Sequence, residues 1–170
     1  DFRPGESEDV VEPDFCLAFL NESKSEFSDW GENPDHVFVF TGDRYESTDY
    51  WDHVEWVVDE AAKRKIYVAL VPIWGSNVKA DLVSESQAKS YAEFLANRFK
   101  NKPNIIWLNG GDLRGDDHQN IWNIIGKTLK ANDNNHLVGF HPRGRAMSSE
   151  FFHNENWLNF NMFQSGHRNY

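Results

Sequence analysis

The stretch Asn104-Ile105-Ile106-Trp107-Leu108-Asn109-Gly110-Gly111-Asp112 constrains the fold most. An unbroken apolar run of this length reads as a strand buried on both faces. The run ends in two glycines, which let the backbone take positive φ or pass close to another group, and then in a carboxylate. In parallel α/β folds the C-terminal end of a strand is where ligands bind and reactive groups sit. Asp112 is therefore the first candidate for a catalytic acid, with a turn or helix-capping aspartate as the alternative.

From Asp49 onward the chain alternates helices and strands with short connections. A helix is expected from about Asp49 to Arg64, with Trp51, Val54, Val57, Val58 and Ala61 on one face. A buried strand follows over Ile66–Ile73, with Trp74-Gly75-Ser76 as its exit loop. Ser84 and Gln87 form a capping box that opens the next helix. That helix carries Ala88, Tyr91, Ala92, Leu95 and Phe99 inward and stops before Pro103. A third helix is expected from about Asp117 to Ala131, capped by Asp116 or Asp117 and closed by the turn at Asn132-Asp133-Asn134-Asn135. Leu137–His141 reads as a short strand, and a further strand is expected within Trp157–Phe163.

This rhythm means βαβ units and a parallel sheet. No Gly-x-Gly-x-x-Gly turn and no phosphate-binding loop follows a strand, so a barrel fits better than a nucleotide-binding fold. A complete eight-stranded barrel takes ~250 residues, and only four to five strands can be counted here, the fifth at Val37–Thr41. The expected fold class is α/β, a (β/α)8 TIM-type barrel, incomplete over this chain. Residues 1–48 are acidic and proline-punctuated, with a short helix expected around Phe15 to Leu20. They are read as an insertion or active-site loop, and residues 49–170 as the partial barrel.

With 39% hydrophobic and 26% charged residues the chain is neither disordered nor membrane-spanning, and no apolar run approaches the ~20 residues a transmembrane helix needs. The formal net charge of −10 disfavours nucleic acid and anionic membranes as partners. Seven tryptophans suit sugar-stacking platforms and large cores alike. Cys16, the single cysteine, is expected to be an inert buried thiol. The chain opens at Asp1 without methionine or signal peptide, and is expected to be processed or cut from a longer polypeptide.

Polar groups gather just past each expected strand: Trp74 and Ser76, Asn109 and Asp112, His141, Arg143 and Arg145, then Gln164, Ser165, His167 and Arg168. In a parallel sheet they share one rim, and together they can hydrogen-bond hydroxyls and stack on a sugar face. The catalytic candidate is Asp112; the substrate-binding candidates are Trp74, Asn109, His141, Arg143, Gln164 and His167. The histidine spacings match no metal-binding motif, so neither metal nor cofactor is expected, although His141, His167 and Asp112 could together form such a site. Ser165 lacks the Gly-x-Ser-x-Gly elbow of a nucleophilic serine.

Five ordered blocks carry a family resemblance over Tyr50–Tyr170: Tyr50-Trp51-Asp52-His53-Val54, Pro72-Ile73-Trp74-Gly75-Ser76, Ile105–Asp112, His141-Pro142-Arg143-Gly144-Arg145 and Phe160–Arg168. In these the chain resembles the apiosidase-like glycoside hydrolases, a (β/α)8-barrel family. The resemblance implies a carbohydrate substrate, plant cell-wall polysaccharide such as apiose-bearing pectin side chains, and a periplasmic or extracellular location. It puts the general acid/base on Asp112 and the nucleophile on a later strand, beyond Tyr170, so that the rest of the parent polypeptide would complete the site. Asp43 and Glu46 have no assigned place, and Glu150 and Glu155 precede the last expected strand, on the side away from the rim. A retaining mechanism needs carboxyls ~5 Å apart. The competing readings are a non-catalytic carbohydrate-binding barrel and a metal-dependent barrel hydrolase.

Overall fold

The computed structural model describes Leu17–Leu20 and residues 48–165. Their core is a parallel sheet of four strands in the order β1-β2-β3-β4, formed by Leu17–Leu20, Tyr67–Leu70, Ile105–Leu113 and Val138–Pro142. Every neighbouring pair is parallel. Helix α1 (Thr48–Lys63) leads into β2, α2 (Gly75–Lys79) and α3 (Glu85–Phe99) connect β2 to β3, and α4 (Gln119–Asn132) connects β3 to β4. The described residues close with a small unit of β5 (Ala146–Met147), α5 (Ser149–Phe152) and β6 (Phe163–Gln164), in which β5 and β6 pair antiparallel.

The local chemistry explains these boundaries. The Ser84 hydroxyl accepts the Gln87 amide, and the Gln87 side chain accepts the Ser84 amide at 2.9 Å, so two orphan donors at the start of α3 are satisfied reciprocally. The expected inner face of α3 is buried throughout: Ala88, Tyr91, Ala92, Leu95 and Phe99. At the end of α4 the Asp133 carboxylate accepts the amides of Asn135 and His136, which makes the expected turn.

Four of the six tryptophans among the described residues belong to the core. Trp51 packs against Tyr91, Phe94 and Phe99; Phe99 meets Trp107; Trp122 meets Phe140, and Phe140 and Trp157 flank Phe152. Trp157 lies flat on α4 where Gly126 has no side chain: a Cβ there would stand 2.3 Å from the indole. Aromatic richness is therefore mostly a packing property here.

Three local expectations are corrected. Leu17–Leu20 is a strand rather than part of a helix, because it lies beside β2 and takes a full parallel ladder from it. A short apolar run does not distinguish the two states by itself. Trp157–Phe163 is not a strand of the parallel sheet; Trp157 is a core side chain, and the segment touches β4 through Asn159, whose amide donates to the Val138 carbonyl and whose side chain accepts the Val138 amide. Finally, neither Asp116 nor Asp117 caps α4. His118 occupies the cap position in a left-handed conformation (φ 57°), Asp116 pairs with Arg114, and the Asp117 carbonyl accepts the Trp122 indole N–H. Cys16 and Val37–Thr41 lie outside the described residues.

Candidate active site

The C-terminal end of β3 is built from three consecutive residues with positive φ: Gly110 (94°), Gly111 (133°) and Asp112 (54°). A non-glycine residue there is uncommon and is tolerated best by Asp and Asn. The ladder to β4 breaks register between Gly110 and Leu113 at this point. Such an irregularity re-aims a strand tip, and bulges of this kind concentrate beside functional sites. It leaves Asp112 exposed, its carboxyl without a hydrogen-bond partner among the described residues.

Both glycines are required by what stands next to them. Trp74 covers Gly111 so closely that a Cβ would sit 2.5 Å from the indole ring, and a Cβ on Gly110 would lie 2.6 Å from the Phe140 ring and 2.8 Å from the His141 carbonyl oxygen. The loop after β2 comes equally near. A Cβ on Gly75 would stand 2.0 Å from the Gly111 carbonyl oxygen, so α2 begins in backbone contact with the β3 tip. The expected exit loop at Trp74-Gly75-Ser76 is thus the start of a short helix, with Trp74 at its cap position. Gly75 has a positional role that its place between Trp74 and Ser76 signalled only faintly.

His141, the penultimate residue of β4, completes the cluster. Its Nδ1 faces the Asp112 backbone N–H at 3.5 Å, and its ring lies 5.5 Å from that of Trp74, tilted by 56°. Asp112, Trp74 and His141, from three successive strand ends, therefore meet at one place.

The other candidates are placed differently. Asn109 is buried: its side-chain amide donates to the Trp122 carbonyl at 2.8 Å and its oxygen accepts the Gly110 amide, so it ties the strand tip to α4. Arg143 is exposed just past β4, and its amide donates to the Leu113 carbonyl at 2.9 Å. Gln164 lies on β6, where its carbonyl accepts the Arg145 amide and its side-chain oxygen is buried without a partner. His167 and Arg168 lie outside the described residues.

Around this cluster the charges are largely committed. Arg114 makes two hydrogen bonds to Asp116, at 2.8 and 2.7 Å, and its guanidinium stands over the Phe151 ring. The Arg114 hydrogen bond, opposed by desolvation and helped by the fields of Arg114 and Arg143, holds the Asp116 carboxyl below the ordinary carboxylate value. Asp116 thus stays ionised and paired. His118 Nε2 and Asp81 Oδ1, 3.2 Å apart, link the loops that follow β2 and β3. Glu150 follows the end of β4, accepts the Met147 amide and contributes to the field at Arg114. Glu155 pairs with Lys127 at 3.0 Å. Among the described residues no three His, Cys, Asp or Glu side chains gather closely enough to hold a metal ion.

Comparisons with known proteins bear on the family and the fold. The profile of the apiosidase-like catalytic domain matches residues 22–170. The chain belongs to that family. Among solved structures, a protein described as a glycoside hydrolase is 51% identical with a TM-score of 0.70, over 71% of this chain and 27% of its own. A second, described as a glycoside hydrolase family 5 protein from Bacteroides vulgatus ATCC 8482, is 46% identical with a TM-score of 0.71, over 75% of this chain and 28% of its own. The chain of this apiosidase-like domain thus spans under a third of either solved chain. No match was found among proteins of curated function. The family and the parallel βα units together identify a stretch of glycoside hydrolase catalytic domain with a partial (β/α) barrel fold.

Proposed function

We propose that this chain supplies the acid/base half of the active site of a retaining glycoside hydrolase acting on plant cell-wall polysaccharide, with pectin side chains as the substrate class. The observation that carries the reading is the exposed carboxyl of Asp112 at the left-handed tip of β3, set beside Trp74 and His141. The second carboxylate comes from outside these residues. A cell-wall polysaccharide substrate, as the family resemblance implies, goes with a periplasmic or extracellular location.

In the first step the protonated Asp112 gives its proton to the glycosidic oxygen while the second carboxylate attacks the anomeric carbon, and the carbon–oxygen bond breaks. In the second step ionised Asp112 takes a proton from water, whose oxygen attacks the same carbon and displaces the enzyme carboxylate. Trp74 offers an indole for a sugar face, and the exposed Arg143 just past β4 offers a polar contact. Asn109 holds the tip that presents Asp112.

The test is product stereochemistry. An enzyme carrying the complete catalytic domain, given a pectic oligosaccharide and followed by proton NMR, should release first a product with the anomeric configuration of the substrate. Release of the opposite anomer, or no cleavage across a panel of pectic oligosaccharides, would overturn the proposal.

A further inference from the structure

We propose that the two ring nitrogens of His141 do separate work: Nδ1 holds the backbone of Asp112, and Nε2–H donates a hydrogen bond to an oxygen of the sugar bound against it. The inference rests on the reading of Asp112 as acid/base and adds a positioning and recognition residue to it.

The geometry begins with the Asp112 amide. A backbone N–H can only donate, so the His141 Nδ1 that faces it at 3.5 Å must accept. That choice puts the ring proton of the neutral imidazole on Nε2. Nε2 has no partner among the described residues, and the side chain is only half-buried, so a donor is left at the mouth of the site. The Trp74 ring flanks the imidazole, which restricts its rotation.

The contact also has an evident purpose. Asp112 sits at φ 54° in the third of three left-handed steps, a conformation a non-glycine residue keeps only when its surroundings hold it. Its own amide is one of the few groups through which they can do so. A sugar oxygen on Nε2–H would then be placed by the same ring that places the acid.

Two isosteric replacements separate the roles. His141→Asn keeps an acceptor near the Nδ1 position and loses the Nε2 donor; His141→Gln can place an N–H near the Nε2 position and loses the acceptor at Nδ1. In an enzyme carrying the complete catalytic domain, with a pectic oligosaccharide as substrate, His141→Asn should raise KM roughly three- to tenfold with kcat little changed. His141→Gln should lower kcat by a similar factor with KM little changed, the effect expected for one neutral hydrogen bond. If both variants keep wild-type kcat and KM, or change them in the same way, the division of labour is wrong. Asp112→Asn measured alongside separates the two levels: loss of activity there with unaffected His141 variants overturns only this inference, whereas an active Asp112→Asn enzyme overturns the acid/base reading beneath it.

Discussion

Replacing Asp112 by asparagine in an enzyme with the complete catalytic domain should lower kcat by about 10²–10⁴-fold, the usual contribution of a positioned general acid/base. The amide has nearly the same size and tolerates a left-handed backbone, so the strand tip should keep its shape. The Trp74–Gly111 contact and the backbone contact to His141 do not involve the carboxyl, and KM should therefore move little. The loss should be smallest for substrates whose leaving group departs without protonation, such as nitrophenyl glycosides. Steady-state kinetics on both substrate types measures this. An Asp112→Asn enzyme that keeps more than about a tenth of wild-type kcat on a natural linkage would remove Asp112 from the mechanism.

The largest expected effect on stability lies in the turn after α4. Asp133 and His136 form a buried ion pair, Oδ2 to Nδ1 at 2.6 Å, and the same carboxylate oxygen accepts the Trp107 indole N–H at 2.7 Å. The second nitrogen of His136 faces the Lys102 carbonyl. Both ring nitrogens thus meet acceptors, which only the doubly protonated imidazolium satisfies. Burial acts against the charge, but the hydrogen bond and field of Asp133 outweigh it, and the His136 pKa lies above its ordinary 6.5. Burial likewise acts to raise the Asp133 pKa, and hydrogen bonds from His136, Trp107 and the Asn135 amide outweigh it, so the pKa lies below the ordinary 3.8.

Removing one partner of such a pair leaves a buried charge uncompensated, and Asp133→Asn should cost about 3–5 kcal/mol of unfolding free energy. The pH dependence follows from the two directions. The raised His136 pKa contributes stability that is complete below about 6.5 and fades as pH rises through the folded-state value. The lowered Asp133 pKa contributes stability that is complete above about 3.8 and fades as pH falls through the folded-state value. The difference between wild type and Asp133→Asn should therefore be greatest between these limits and shrink on either side. Urea unfolding across pH measures it; a difference below about 1 kcal/mol near pH 6 would show that the pair does not hold β3 to the turn after α4.

Where local chemistry and tertiary context agree, the fold could be read from residue order. The Ser84–Gln87 box, the inner face of α3, the buried run into Asp112 and the Asp133 turn all depend on neighbours within a few residues. Leu17–Leu20 and Trp157–Phe163 depend instead on partners far away in sequence. An apolar run becomes a strand only because β2 lies open beside it, and an aromatic-rich segment leaves the sheet because Trp157 fits over Gly126. The site divides in the same way. Asp112 was marked by the glycines before it, and His141 by its place at a strand end. The inward commitment of Asn109 was not visible, because its partner is a helix carbonyl thirteen residues on. The backbone contact of Gly75 with Gly111 was not visible either, since it joins two loops that meet only once the sheet has formed.

The most direct measurement is a structure of the Asp112→Asn catalytic domain with an uncleaved oligosaccharide spanning the scissile bond. The side chain at position 112 should lie within about 3 Å of the glycosidic oxygen, the reach required of a proton donor. Trp74 should lie against a sugar ring and His141 within hydrogen-bond distance of a sugar oxygen. A complex in which another carboxylate holds that reach and position 112 faces only solvent would contradict the assignment of this strand tip as the catalytic acid.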